Sequence, residues 1–368
     1  MAMNCKDATS SYEAWLRKRA SVIEEDLDLK HREMSADIFP FMRATYYRWI
    51  ELWKDSCSEL DNAPTVSAVG DLHAENFGTW RDREARLIWG INDFDETATL
   101  PYTNDLVRLA VSVHLSIAAD ELAIEPDDAC EAILKGYKKG LADGGAPFVL
   151  VENHEWLRNV VMSDVRDPVK FWNKLQKLAD VEPVPDKARK TLAKALPERK
   201  LDYRVVHRVA GLGSLGRERY LAIAEWNGGL VAREVKARVP AATVWLAGKK
   251  DSNKHHHDAY EKIIKQAVRC PDPSLELHKQ WVLRRLAHDS SRVELKSLPK
   301  HKDERKLLEA MGRETANIHL GSSESIRVVQ YDLFKRRANW LNQAALVMVQ
   351  ATTTDWQSWR GGKAESTK

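Results

Sequence analysis

Residues 70–78 read GDLHAENFG and residues 91–96 read INDFDE, and these two polar segments decide the predicted fold. Each segment follows a short apolar run, at 65–69 and at 87–91, and such runs are typical of buried strands. If the two strands are adjacent and end on the same side, the polar side chains behind them come together.

Three of these polar side chains match the requirements of Mg²⁺-dependent phosphoryl transfer. Asp71 is the candidate general base that accepts the proton of an attacking hydroxyl. Asn76 and Asp93 are the candidate metal ligands, because Mg²⁺ prefers oxygen ligands such as carboxylates. The alternative is purely local, since Asp and Asn also stabilise turns through hydrogen bonds to the backbone.

The composition allows this chemistry without arguing for it. The 368 residues are 30% charged and 43% hydrophobic, which is typical of a soluble protein long enough for two lobes. A formal net charge of +3 is too small to indicate nucleic acid or an anionic membrane as a partner. Arg108 and His114 interrupt the apolar stretch at 106–119, which therefore predicts a buried helix and not a membrane span.

The cysteines and the first residues indicate a cytoplasmic protein. Cys5, Cys57, Cys130 and Cys270 are scattered and form no CxxC pair, which predicts reduced thiols and neither disulfides nor a zinc site. Residues 1–9 are polar and lack the apolar core of a signal peptide.

The spacing of the apolar residues divides the chain into three parts. Residues 1–200 are predicted to form a helical catalytic lobe that carries the polar segments at 70–96. Residues 201–298 are predicted to form a β-rich nucleotide-binding lobe, and residues 299–368 to form helices that return to the first lobe. The predicted helices lie within 11–60 and at 102–119, 126–142, 168–178, 257–268, 307–319 and 334–349, and further strands lie at 219–226, 230–236 and 280–287.

A glycine-rich motif opens the β-rich part. The sequence GLGSLG has the GxGxxG spacing and supplies the candidate nucleotide-binding residues Gly211, Gly213, Ser214 and Gly216. A dinucleotide fold needs a helix directly after this motif, whereas here a strand follows, so we expect a hairpin that covers a nucleotide. Lys236 ends an apolar strand beside this hairpin and can pair with the phosphates.

Both motifs resemble those of known families. GDLHAENFG and Asp93 resemble the catalytic and metal-binding segments of the aminoglycoside-phosphotransferase branch of the protein-kinase-like superfamily, and GLGSLG with Lys236 resembles its glycine-rich loop and nucleotide lysine. Over nearly its full length the chain also resembles an uncharacterised bacterial domain-of-unknown-function family, the 2252 family. That likeness rests on GDLHAENFG and GLGSLG together with FMR at 41–43, DLVRL at 105–109 and VKA at 235–237, and it implies no established reaction.

The kinase resemblance implies an α+β fold with two lobes, ATP as a substrate and Mg²⁺ as its cofactor. It assigns Asp71 as the catalytic base and Lys236 as the phosphate lysine, and it assigns the metal to Asn76 and Asp93. Because the glycine motif follows the catalytic segment instead of preceding it, a kinase-like fold here is circularly permuted, which a site defined by spatial arrangement allows. Glu261, on the helix after Lys236, is the candidate partner of that lysine, and a surface glutamate is the alternative.

Other polar residues near the two segments have simpler interpretations. His73 is expected to pack in the loop or to orient it. Asp95 and Glu96 either help to bind a second metal or form a solvated acidic turn. Asp105 and Arg108, three positions apart on a helix, most simply form a salt bridge that supports the catalytic loop.

The favoured function is an ATP- and Mg²⁺-dependent phosphotransferase that acts on a hydroxyl group of a small molecule. A protein substrate, transfer of AMP and a nucleotide-binding pseudokinase are alternatives. The sequence DFDET at 93–97 also fits the DxDxT motif of haloacid-dehalogenase-type phosphatases, in which Asp93 attacks the phosphate. That interpretation leaves the glycine motif and Lys236 without a role.

Overall fold

The computed structural model describes residues 3–150, 153–161, 167–248, 253–290 and 303–361. In these ranges the chain has a mixed α+β structure, as predicted. The helices are α1 Cys5–Arg17, α2 Glu24–Ala36, α3 Ile38–Ala44, α4 Tyr46–Ser56, α5 Ser58–Asp61, α6 Tyr102–Ala118, α7 Pro126–Asp143, α8 Glu155–Val161, α9 Pro168–Gln176, α10 Asp186–Ala195, α11 Ala242–Leu246, α12 Asn253–Gln266, α13 Glu304–His319, α14 Ser323–Lys335 and α15 Trp340–Gly361. The strands are β1 Thr65–Ala68, β2 Phe77–Arg81, β3 Leu87–Ile91, β4 Ala98–Pro101, β5 Phe148–Val149, β6 Tyr203–His207, β7 Arg219–Trp226, β8 Gly229–Ala237, β9 Glu276–Leu277 and β10 Trp281–Leu286.

The two strands that precede the polar segments, β1 and β3, are not neighbours in a sheet. The prediction that they are adjacent was therefore wrong. β1 pairs with β4, whereas β3 pairs with β2 on one side and with β5 on the other. The reason is β2, which starts directly after Asn76 and turns back onto β3 as a hairpin. The polar segments are therefore joined through this hairpin.

The five-stranded antiparallel sheet has the order β6-β7-β8-β10-β9. Its predicted hairpin is confirmed: β7 and β8 are joined at Asn227 and Gly228, whose φ angles are 49° and 78°. Both residue types tolerate positive φ, which the tight hairpin turn requires. Leu175 of α9 and the α10 residues Ala188 and Leu192 pack against this sheet, although both helices precede residue 200.

The main core lies between the helices α4, α6, α7, α13 and α15 and the strands β1 to β3. The apolar stretch of α6 is buried there, as predicted, and Arg108 and His114 are buried with it. Among the described residues, none of the helices combines the length and the apolar character that crossing a membrane requires. All four cysteines lie in the described ranges and are free thiols, as predicted.

One predicted helix is interrupted. In place of a helix at 334–349, α14 ends at Lys335 and α15 begins at Trp340. Arg336 between them has an extended backbone, with ψ of 144°, and its guanidinium donates to Asp332 at 2.6 Å.

Two glycines bring α7 and α13 into close contact. A Cβ atom on Gly136 would lie 1.9 Å from the carbonyl oxygen of Glu309, and one on Gly312 would lie 2.1 Å from that of Ile133. Both distances are far below van der Waals contact, and the atoms met belong to the backbone. The two helices therefore pack at a separation that only glycine permits at these positions.

We expect Gly312→Ala to lower the free energy of unfolding by about 1–3 kcal/mol, because the added methyl overpacks the contact between the helices. Helix propensity alone would raise it by about 1 kcal/mol, so the sign of the change is diagnostic. Urea denaturation measures the difference. Gly361→Ala is the matched control, since no atom lies within 4 Å of that Cβ position. A Gly312→Ala protein as stable as the control would contradict the close packing.

Candidate active site

The loop after β1 is held in place by α6 and α13. The carboxylate of Asp105 accepts hydrogen bonds from the backbone N–H groups of Val69 and Gly70, at 2.7 and 2.9 Å. Its Oδ2 also lies 3.0 Å from Nε2 of His319, and both side chains are fully buried. Gly70 has φ of +85°, so the chain turns sharply just before Asp71.

Asp71 is bound by a buried arginine. Nη2 and Nε of Arg108 donate to Oδ1 of Asp71, at 2.6 and 3.1 Å, and Arg108 is only 1% exposed. The predicted Asp105–Arg108 salt bridge was therefore wrong, because each residue contacts the loop directly. Burial raises the pKa of Asp71 to about 6, against the lowering effect of Arg108. Asp71 is thus a carboxylate poised to exchange a proton near neutral pH.

Asn76 connects the two polar segments. Its Nδ2 donates to the backbone oxygen of Asp71 at 2.5 Å, and its own backbone oxygen accepts from the N–H of Asn92 at 3.1 Å. Asp71, Asn76 and Asp93 line the same cavity, as the sequence predicts.

Lys236 of β8 reaches the second polar segment. Its Nζ lies 2.7 Å from Oδ2 of Asp95 and 3.4 Å from Oδ1 of Asp93, a residue 143 positions earlier in the chain. The side chain of Lys236 is buried, whereas that of Asp93 is 41% exposed. The structure therefore brings together the candidate phosphate lysine and a candidate metal ligand from distant parts of the sequence.

The glycine motif lies against the loop that carries Asp71. After Gly211, which has φ of +74°, the chain forms a short 3₁₀ turn over Leu212–Ser214 before β7 begins. A Cβ atom on Gly213 would lie 3.1 Å from the backbone oxygen of Arg43 and 3.5 Å from Oδ2 of Asp71. Glycine at this position lets the loop approach the carboxylate of Asp71 closely.

Two cavities meet at these residues. The Asp71 cavity, which includes Asp71, Asn76 and Gly213 in its lining, has a volume of about 60 Å³. The Lys236 cavity, which lies between the five-stranded sheet and β2–β3, has a volume of about 500 Å³. Three residues line both cavities: Asn92, Asp93 and Gly211. The two cavities therefore share a boundary at the second polar segment and the glycine motif.

The Lys236 cavity has an excess of basic side chains. Its basic residues are Lys174, Arg208, Arg219, Lys236, Arg269, Arg284, Arg285 and His288, and its acidic residues are Asp93, Glu234 and Asp272. Burial acts to raise the pKa of Glu234, but Arg219 and Arg208 lower it to about 2, so this carboxylate stays ionised. Apolar side chains of α9 and β10 complete the lining. Such a lining favours an anionic ligand with an apolar part.

Asp95 and Glu96 do not form a solvated turn. Arg217, itself 3% exposed, donates to Glu96 at 3.1 Å and to the hydroxyl of Tyr12 at 3.2 Å, and it lies 3.4 Å from Asp95. Glu96 also accepts from the N–H of Ala242 at 2.6 Å, and burial raises its pKa to about 7. Sequence reasoning missed Arg217, because no spacing relates it to a carboxylate 121 residues earlier.

Glu261 and Lys236 are not brought together. Among the described residues, the carboxylate of Glu261 forms its ion pair with Lys265 one turn along α12, at 3.3 Å. α12 packs on β1 and β4 and contributes to the main core, and the hydroxyl of its Tyr260 accepts from Arg284 of the five-stranded sheet at 3.1 Å. His73 packs in the loop after β1 as expected: it is buried, and its Nδ1 accepts from the N–H of Glu75 at 3.2 Å.

The oxygen donors of this site suit a Mg²⁺ ion that is already bound to the phosphates of a nucleotide. In the described part of the chain, no group of three or more His, Cys, Asp and Glu side chains is arranged to hold a metal ion. A nucleotide-bound Mg²⁺ needs only one or two protein carboxylates, because phosphates and water complete its coordination. Asp93, which lines both cavities, offers such a carboxylate, and Asn76, which lines the Asp71 cavity, offers an amide oxygen.

A match to a known protein family spans only part of the candidate site. Residues 19–150 match a family model described as an uncharacterized protein conserved in bacteria (DUF2252). No curated protein and no solved structure matches the chain. The matched range contains Asp71, Asn76 and Asp93 and ends before the glycine motif and Lys236. This part of the chain is thus similar to a bacterial domain family whose description names no function.

Proposed function

We propose that the protein is an ATP- and Mg²⁺-dependent phosphotransferase with a two-lobed, permuted kinase-like fold, and that it phosphorylates a hydroxyl group of a small molecule. The contact between Lys236 and Asp93 carries the proposal. It joins a basic cavity of nucleotide size to a small cavity that holds a proton-accepting carboxylate.

In this proposal each residue has a defined task. The triphosphate of ATP lies in the Lys236 cavity, where Lys236 binds phosphate oxygens and the glycine motif covers them. The acceptor hydroxyl lies in the Asp71 cavity, and Asp71 takes its proton as the oxygen bonds to the γ-phosphorus. The bond from that phosphorus to the bridging oxygen breaks, and ADP leaves with the electron pair. Mg²⁺, held by Asn76 and Asp93, would neutralise the charge of the phosphates.

The ion pairs of Asp95 argue against the alternative of a haloacid-dehalogenase-type phosphatase. In that mechanism the second carboxylate of the DxDxT motif exchanges a proton with the leaving group. Here Asp95 is paired with Lys236 at 2.7 Å and lies 3.4 Å from Arg217. With both cations in contact, Asp95 serves as an ion-pair partner, which differs from the proton-exchanging role that this mechanism requires. A small acceptor is favoured over a protein because the Asp71 cavity is only about 60 Å³.

Thermal unfolding with and without Mg-ATP tests the proposal. A ligand of the folded state at about 100 times its dissociation constant adds roughly 2.7 kcal/mol, so we expect the melting temperature to rise by several degrees. Lys236→Met should remove most of this rise, because the phosphates lose their buried cation. Lys279→Met, an exposed lysine in the same sheet region, is the matched control. A rise of equal size in Lys236→Met would reject its role, and no rise with any nucleotide would reject the proposal.

The rate of ADP release should depend on pH through Asp71. The carboxylate must be ionised to accept a proton, and its pKa is about 6. The rate should therefore be constant above that pH and fall as the pH decreases through about 6. Arg108→Gln removes a cation that lowers this pKa, so the fall should move to higher pH. Profiles that coincide for both proteins would contradict the assignment.

A further inference from the structure

One lysine of the Asp71 cavity has no role in the proposed phosphoryl transfer. Lys30 of α2 is 3% exposed and contributes to the wall of this cavity. Its ammonium lies 5.7 Å from the centroid of the Tyr47 ring. No carboxylate of the described residues forms an ion pair with it. A buried ammonium without a partner is costly, so its presence requires an explanation.

The nearby carboxylates are already engaged. Asp71 pairs with Arg108 at 2.6 Å, and Glu96 lies 3.1 Å from Arg217. Glu13, the carboxylate with the strongest influence on Lys30, lies 2.6 Å from the ring of His31. Burial lowers the pKa of Lys30 to about 8, so the side chain is still mostly cationic at pH 7. Its positive charge is therefore available to a ligand in the cavity.

Two further donors in the lining of this cavity have no hydrogen-bond partner in the described part of the chain. The hydroxyl of Tyr46 and Nε of Arg43 are buried, and neither has a hydrogen-bond partner among the described residues. Buried donors of this kind are rare in proteins unless a ligand or water completes them. Nη1 of Arg43 binds Glu75, so the guanidinium is fixed in place. Together with Lys30, these groups supply donors to a cavity whose lining also contains the carboxylates of Asp71, Glu75, Asp93, Asp95 and Glu96.

We infer that the phosphoryl acceptor is a compact hydroxylated compound with a carboxylate or phosphate group, and that Lys30 binds this anionic group while Asp71 receives the hydroxyl proton. The inference rests on the proposed function and adds the substrate class. The volume of about 60 Å³ limits the part of the acceptor inside the cavity to a few heavy atoms.

Calorimetric titration of the nucleotide-free protein tests this inference. The anionic probes are inorganic phosphate and glycerate, an α-hydroxy carboxylate, and glycerol and ethanolamine are the neutral and cationic comparisons. We expect the wild type to bind at least one of the two anions and neither comparison compound. Lys30→Met should weaken anion binding about tenfold or more, because the anion loses a charged hydrogen bond. Lys54→Met, an exposed lysine of α4, should leave it unchanged.

A third variant locates the anion. Binding that survives in Lys236→Met but is weakened in Lys30→Met supports the inference, and preference for phosphate or for glycerate then distinguishes a phosphorylated from a carboxylated acceptor. The reverse pattern would place the anion in the Lys236 cavity and overturn it. Absence of anion binding in the wild type would overturn it as well.

The Mg-ATP melting experiment on the same preparations separates the two proposals. Lys30→Met should keep the full Mg-ATP shift, which also shows that the variant is folded. A wild type without this shift contradicts the proposed function. A normal shift combined with anion binding that does not depend on Lys30 contradicts only the acceptor class.

Discussion

Asp71→Asn should reduce ADP release from Mg-ATP by about 10²–10⁴-fold, the usual contribution of a general base. The amide has the size of the carboxylate and keeps an oxygen that accepts from Arg108, but it takes up no proton at neutral pH. The Mg-ATP melting shift should be unchanged, because Asp71 lies in the other cavity. The measurement is a coupled assay of ADP formation with a pool of hydroxylated metabolites as acceptors.

The control for this change is Asp82→Asn. Asp82 is also a largely buried carboxylate with an arginine partner, since Arg86 lies 2.7 Å away, but it stabilises the turn between β2 and β3 outside both cavities. Its variant should retain the activity of the wild type. If Asp71→Asn kept full activity with an unchanged melting temperature, Asp71 would not be the base.

Asp93→Asn should lower ADP release by about 10²–10³-fold, because loss of a metal-binding carboxylate removes several kcal/mol of transition-state stabilisation. The variant should need a higher Mg²⁺ concentration for half-maximal activity, a change that loss of a base does not produce. Its melting shift with nucleotide in the absence of Mg²⁺ should equal that of the wild type. The measurement is ADP release as a function of Mg²⁺ concentration, with Asp82→Asn again as the control.

The Asp93→Asn variant also distinguishes the proposed phosphotransferase from a phosphatase. A haloacid-dehalogenase-type enzyme would hydrolyse a phosphomonoester without nucleotide, and Asp93→Asn would abolish that reaction through loss of the nucleophile. We expect no nucleotide-independent hydrolysis by the wild type. A wild-type Mg²⁺ dependence in Asp93→Asn would remove the metal role.

The sequence was sufficient to predict the proximity of Asp71, Asn76 and Asp93, although the predicted strand pairing was wrong. All three lie at the ends of short apolar runs, and one hairpin joins the two segments. The hairpin between β7 and β8 was predictable because the turn needs residues that tolerate positive φ, and Asn227 and Gly228 do. These features depend on a few neighbouring residues.

The contacts that orient the site were not predictable in this way. Periodicity predicts both α6 and α12 and the burial of α6, but it does not show which residues the two helices meet. Arg108 was therefore expected to pair with Asp105, but it binds Asp71. Glu261 was expected to pair with Lys236, but it pairs with Lys265, and α12 packs on the main core. Such pairings depend on the relative placement of elements far apart in the chain.

The buried guanidinium of Arg217 has a consequence for how firmly three parts of the chain are joined. It connects α1 and the segment after β3 to the residues just before β7, through Tyr12 and Glu96. Removing this cation would leave Glu96 buried without its charged partner, at a cost of about 3–5 kcal/mol, a large fraction of the stability of a typical domain. We therefore expect these three parts to stay together as long as the chain is folded.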